Sequence, residues 1–253
     1  REFFGDSPAG VRQEGYLEEV EGLTARQLTD AYYEMLRAAS IELIVLGCGE
    51  AQTEAVKNAL LEELSQVERA PAALAENMAM PRREPVRKVE HFDTTQAKLC
   101  MLFTTGEANP NPPSVSILRV AMSVLGGSAT SRLFRNVREK QSLCYYCGSA
   151  AQRATGVMMI DSGVEPGKEQ QAEAAIIAEL EGLKNGPITQ EEVDDCRRGL
   201  LSSMDALGDS LAALENWYYG QITRGEPLYP PEYGKVLTGA VTLDEVRQAL
   251  QSY

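Results

Sequence analysis

The sequence predicts an α+β protein in which helices pack on a sheet. Three observations lead there. Amphipathic stretches open on capping residues, shorter aliphatic or aromatic runs end at glycine, and one helix-opening pattern occurs twice. In chain order, Leu23-Thr-Ala-Arg-Gln27 starts the first helix: Thr24 and Gln27 have capping-box spacing, and Leu28, Tyr32 and Leu36 follow on one face. Ile41 to Leu46 is aliphatic and is stopped by Gly47-Cys-Gly49, which predicts a buried strand. Thr53 to Val67 predicts another amphipathic helix. Between Arg69 and Arg87, Pro71, Pro81 and Pro85 interrupt a charged stretch without periodicity, which reads as a linker.

A second block follows. Val89 to Thr105 predicts strand, centred on Ala97-Lys-Leu-Cys-Met-Leu-Phe103. Asn109-Pro-Asn-Pro-Pro113 predicts a loop into a helix from Val115 to Leu125, where Gly126 and Gly127 stop it and permit positive φ. An arginine-rich helix comes next, then strands from Cys144 to Ala150 and from Val157 to Val164. Lys168 to Lys184 predicts helix, ended by Asn185-Gly-Pro187. Thr189 and Glu192 make a further capping box that opens the longest helical stretch, to about Arg224. Its seam of Val193, Cys196, Leu200, Met204, Leu207, Leu211, Leu214 and Tyr218 predicts a core-facing helix, with Trp217-Tyr-Tyr219 as packing.

Gly22-Leu-Thr-Ala-Arg-Gln-Leu28 and Ala240-Val-Thr-Leu-Asp-Glu-Val246 share a small residue, an aliphatic, a capping Thr and a helix. After the first copy an aliphatic run follows; the second is followed by the end of the chain. The echo predicts two repeats of one unit: residues 1–69 as the later part of a first repeat, 70–87 as linker, and 88–253 as a second repeat lacking its last strand. The chain opens at Arg1 in mid-pattern, so it is expected to be a piece of a longer protein.

Composition narrows the function classes. With 253 residues, 43% hydrophobic and 24% charged, the chain is long enough for a core without covalent staples. A net charge of −13 argues against nucleic acid or an anionic membrane as partner, because both require a basic footprint. No apolar run approaches the roughly 20 residues that span a bilayer. Five cysteines without framework spacing predict reduced thiols and a cytoplasmic location. Cys144-Tyr-Tyr-Cys147 has the C-x-x-C spacing of a thiol oxidoreductase. Its flanks read as strand rather than helix start, which would place the two thiols on opposite faces.

The densest information lies in Leu125-Gly-Gly-Ser-Ala-Thr130 followed by Ser131-Arg-Leu-Phe134, Arg138-Glu-Lys140 and Leu143-Cys-Tyr145. This order resembles the second repeat of the pitrilysin/insulinase-type (inverzincin) zinc peptidases, the group that includes the mitochondrial processing peptidases. The resemblance runs from about Gly15 to the C-terminus and is strongest over Ser116 to Gly148. It implies a mostly antiparallel sheet with helices packed on it, in a repeat that binds substrate without holding the metal. In that family His-x-x-Glu-His of the first repeat binds zinc. Here His91 is the one histidine, so the resemblance implies no zinc within this chain, with zinc borne by a first-repeat portion or a partner.

The resemblance also implies a substrate-side pair: an Arg seven residues ahead of a Tyr, matched by Arg138 and Tyr145. A phenol can donate to a carbonyl oxygen that turns negative, and a guanidinium can grip peptide carbonyls. Arg132, Arg135 and Arg138 recur every three residues as a basic stripe, which can meet acidic peptide side chains or serve internal ion pairs. The acidic run Glu191-Glu-Val-Asp-Asp195 reads as a solvated helix N-terminus. The expected function is the noncatalytic, peptide-binding portion of a zinc-peptidase-family protein, inactive alone and paired with a homologous zinc-bearing subunit or a second copy. A scaffold without peptide processing is the alternative.

Overall fold

The computed structural model describes residues 3–5, 7–12, 14–73, 79–81, 84–106 and 111–252. By its internal contacts the chain forms two units. One comprises the described residues of 1–76 with Leu211–Tyr219, the other those of 77–210 and 220–253.

The first unit carries a short helix α1 (Leu17–Glu21), then α2 (Ala25–Ala38) and α3 (Glu50–Leu64). The expected box opens α2: Gln27 N–H donates to Thr24 Oγ1, and Gln27 Oε1 accepts from Thr24 N–H. None of these helices buries a residue. Arg69 closes α2 from its far end, donating to the Leu36 and Ala39 carbonyls at 2.5 and 2.6 Å, where cations suit the helix dipole. Ile41 to Leu46 does not form the expected strand; it takes no regular secondary structure and joins no ladder among the described residues. An aliphatic run becomes a strand only when a ladder takes up its N–H and C=O groups.

The second unit is built around an antiparallel sheet of β1 (Ala97–Thr104), β2 (Cys144–Gln152) and β3 (Val157–Val164) in the order β1-β3-β2. Ala97 faces Val164 and Thr104 faces Val157, while Gln152 also faces Val157. β1 is shorter than expected: residues 89–95 are exposed, and 89–96 are unpaired in the ladder, because β3 offers partners only from Val157 to Val164. Helices α4 (Pro112–Met122), α5 (Glu169–Asn185), α6 (Gln190–Asp205), α7 (Leu211–Ile222), α8 (Pro231–Ala240) and α9 (Leu243–Ser252) complete the chain. Asn111 caps α4 by accepting from Ser114 N–H; Asn109 and Pro110 of the expected loop lie outside the described residues. Thr242 and Glu245 repeat the capping box at α9, the second copy of the echo.

The core sits in this second unit. Val120, Leu125, Leu133, Val137, Ile160, Ile176 and Val193 are fully enclosed, joining α4, the arginine helix, β3, α5 and α6. The long helix expected to reach Arg224 is broken. A 3-10 turn over Ala206–Asp209 and extended backbone at Ser210 separate α6 from α7, at Gly208, whose helix propensity is poor. Gly126 and Gly127 take no positive φ. The requirement at Gly126 is close approach: a Cβ there would lie 2.6 Å from Ser149 N and 2.8 Å from Leu133 Cδ1.

Candidate functional site

The arginine helix is anchored by Ser131, fully buried, whose Oγ accepts from Phe134 N–H. Leu133–Lys140 winds with π-type bonding, and Leu133 and Val137 face the core, leaving the arginines outward. The stripe then divides. Arg132 grips both oxygens of Glu192, Nε to Oε1 at 2.9 Å and Nη2 to Oε2 at 3.1 Å, and donates to the Pro187 carbonyl at 2.6 Å. Arg135 joins the same carboxylate, Nη2 to Oε1 at 3.0 Å. Glu192 also accepts from Thr189 N–H in the expected capping box. Burial alone would raise its pKa; the hydrogen bonds from Arg132 and Thr189 with the Arg132 charge outweigh it and hold the carboxyl at about 2. The acidic run is therefore more than a solvated terminus, since Glu192 joins α6 to the arginine helix. Its capping spacing was visible in the sequence, but nothing local marked the two arginines as its partners.

Arg138 turns elsewhere. Its Cζ lies 4.4 Å over the Phe134 ring, Nε donates to the Tyr145 carbonyl at 2.8 Å, and Nη1 donates to Glu139 at 2.9 Å. Those bonds use two of the five guanidinium N–H donors. The chain reaches β2 through Ser142, a non-glycine residue at φ 51°, which turns it sharply after the helix. In β2, Cys144 faces Val164 and Tyr146 faces Gly163, so Tyr145 is the extra residue of a β-bulge. The bulge leaves Tyr145 60% exposed. Arg138 and Tyr145, the pair that the family resemblance implies, thus come together on an open cleft of about 340 Å³ lined also by Glu139, Ser142, Leu143 and Glu165. Arg132 and Arg135 do not line it.

The same bulge overturns the expected placement of the two cysteines. One extra residue resets the alternation, and Cys144 and Cys147 turn toward each other and Ser162 rather than to opposite faces. Both thiols are raised by burial, Cys147 to about 12, the reverse of what a thiol oxidoreductase needs.

Zinc of the His-x-x-Glu-His kind does not fit these residues. His91 is exposed and outside any strand, and among the described residues no three His, Cys, Asp or Glu side chains converge. Nor, among them, is any helix long and apolar enough to cross a membrane.

Known proteins share sequence or fold with this chain. A Bacillus subtilis (strain 168) protein named "Probable inactive metalloprotease YmfF" is 25% identical over 221 residues, 87% of this chain and 51% of that protein. The chain therefore spans about half the length of that relative. A conserved protein from Enterococcus faecalis V583 has the same fold with a TM-score of 0.76 at 24% identity, over 96% of this chain and 56% of that one. The peptidase M16 inactive domain from Pseudomonas fluorescens aligns with a TM-score of 0.74 at 22% identity, covering 99% of this chain and 60% of its own. The family model described as "Peptidase M16 inactive domain" matches residues 22–200, well over half of the chain. By this match, the chain belongs to the M16 metallopeptidase family as an inactive-domain member.

Proposed function

We propose that the Arg138–Tyr145 cleft receives an extended peptide, as the noncatalytic wall of a peptide-processing site completed by a zinc-bearing half or partner. The observation that carries this reading is the bulge: it pushes the Tyr145 phenol outward while Arg138 holds the carbonyl of that same residue. The two groups are thus one rigid unit, with spare guanidinium donors for peptide carbonyls and a phenol hydroxyl facing solvent. Arg132 and Arg135, drawn onto Glu192, hold the helix that carries Arg138; the half-exposed Arg135 is the one of the two that can still meet an acidic peptide side chain. The partner is a homologous zinc-bearing subunit or a second copy. The five cysteines, all free, suit a cytoplasmic setting.

The test is binding of a fluorescein-labelled unfolded peptide, followed by anisotropy, to the chain and to its Arg138→Ala and Tyr145→Ala variants. Each substitution is expected to weaken binding by about tenfold, the worth of a hydrogen bond to a charged group. Unchanged affinity in both variants would replace this reading with the scaffold alternative.

A further inference from the structure

Cys144-Tyr-Tyr-Cys147 is ill suited to thiol redox chemistry, yet the bulge at Tyr145 gives the pair another use. Facing residues of an antiparallel ladder share one side of the sheet. Cys144 faces Val164 and Cys147 faces Ser162, and both of those partners are fully buried, so the two sulfurs lie on the core side. Without the extra residue, positions three apart would point to opposite sides. With it, the sulfurs are neighbours that share hydrogen bonding with each other and with Ser162. Cys147 is 5% exposed and belongs to the apolar core. Cys144 is half-buried and lines the open cleft, which gives the pair an approach from solvent.

The surroundings select what such a pair can hold. Ser162 Oγ donates to the Tyr146 carbonyl at 2.9 Å, so its hydroxyl is already engaged. Among the described residues no third His, Cys, Asp or Glu side chain joins the two thiols. Structural zinc takes four ligands, and calcium or magnesium takes a shell of oxygens, so none of these ions fits. A soft, closed-shell monovalent ion is satisfied by two sulfurs in a line, and thiolate ligands select cuprous copper. On binding, each thiol releases its proton to water and two Cu–S bonds form; two thiolates and one Cu⁺ leave a single negative charge. The charge of Arg138 reaches Cys144 and offsets it, while Asp161, which accepts from the Tyr146 hydroxyl, opposes it at Cys147.

We propose that Cys144 and Cys147, brought to one side of β2 by the bulge, form a two-coordinate site for cuprous copper that is entered from the cleft. The site stands whether or not that cleft receives a peptide.

The experiment is anaerobic titration of the full chain with Cu(I) against the chromophoric chelator bicinchoninate. Exposed Cys48 and Cys100 are first replaced by serine so that they do not compete. A single equivalent of copper is expected to bind, with sulfur as its only neighbour in X-ray absorption. Cys144→Ser and Cys147→Ser are each expected to weaken binding by at least about a hundredfold, because losing a ligand costs more than the roughly 10–100-fold of losing an outer partner. Zinc is expected to bind at least about a hundredfold more weakly than copper. Cys196 sits instead beside the Ser128 and Thr130 hydroxyls, so Cys196→Ser should leave the affinity unchanged. Circular dichroism checks that each variant folds, and half-buried Cys144 keeps the test decisive if Cys147→Ser does not. No bound copper, full affinity in folded Cys144→Ser, lost affinity in folded Cys196→Ser, zinc binding as tight as copper, or oxygen or nitrogen bound to the copper would overturn the proposal.

Discussion

Glu192 is the residue on which the arginine helix depends. One carboxylate accepts from two guanidinium groups and from the amide that opens α6, so its charge serves capping and tertiary contact together. Its folded pKa of about 2 lies below the ordinary 4.5. A depressed acid stabilises the folded state fully above the unfolded value and loses that contribution as pH falls through the folded one. The window is therefore pH 4.5 down to about 2. Discounted for screening at the half-exposed Arg135, the contribution is on the order of 2 kcal/mol. Glu192→Gln is expected to lower the urea midpoint at pH 7 accordingly, and the gap between variant and parent should close as pH drops through that window. A gap that stays constant with pH would mean that Glu192 acts through packing rather than charge. At Ser142 the question is backbone: φ 51° is tolerable for serine and strained for a β-branched residue. Ser142→Val is expected to lower stability by about 1–2 kcal/mol in the same measurement, while Ser142→Gly keeps it within about 1 kcal/mol. Equal losses in both would point to the serine hydroxyl instead.

Among elements, the tightest fit is where the turn of Gly126 meets β2. Because a Cβ there would lie 2.6 Å from a backbone nitrogen, strand and helix cannot keep their spacing around a side chain. Gly126→Ala is expected to cost about 2–3 kcal/mol by thermal or urea unfolding, whereas the same change at Gly199, which meets open space, should be neutral or stabilising. An equal effect at the two positions would refute the steric account. The contrast also shows what could be read from the chain itself. Capping boxes at Thr24, Thr189 and Thr242 were legible because all their partners lie within four residues. The Arg138–Tyr145 pair was legible through family resemblance, since seven residues of spacing do not by themselves imply contact. The bulge at Tyr145, the capture of two arginines by Glu192 and the failure of Ile41 to Leu46 to pair were not legible. Each depends on what another segment, far along the chain, offers as a partner. The same limit explains Cys144 and Cys147: period-two alternation separates them, and only the strand register shows that an extra residue has been inserted.

Over the whole molecule, burial is distributed unequally between the two units. The buried apolar residues begin at Met80 and fill the second unit, while α1, α2 and α3 bury nothing, and Leu28, Tyr32, Tyr33 and Leu61 stay more than half exposed. Helices of 14 and 15 residues with no covered apolar face are marginal in water, because packing, not propensity, supplies most helical stability. Local opening of the first unit should therefore cost far less than opening of β3, whose residues are almost all enclosed. Hydrogen exchange followed by mass spectrometry is expected to show α2 and α3 exchanging at least about a hundredfold faster than β3. Thiol labelling offers an independent readout. Exposed Cys48 should react readily, while Cys147, buried and with its thiol near 12, should wait for global unfolding. Protection of α2 equal to that of β3 would show that the capping box and the Arg69 clasp stabilise the first unit far beyond their usual worth. The expected gradient would instead mean that the M16 fold of this chain stands on its second unit, the one that holds both candidate sites.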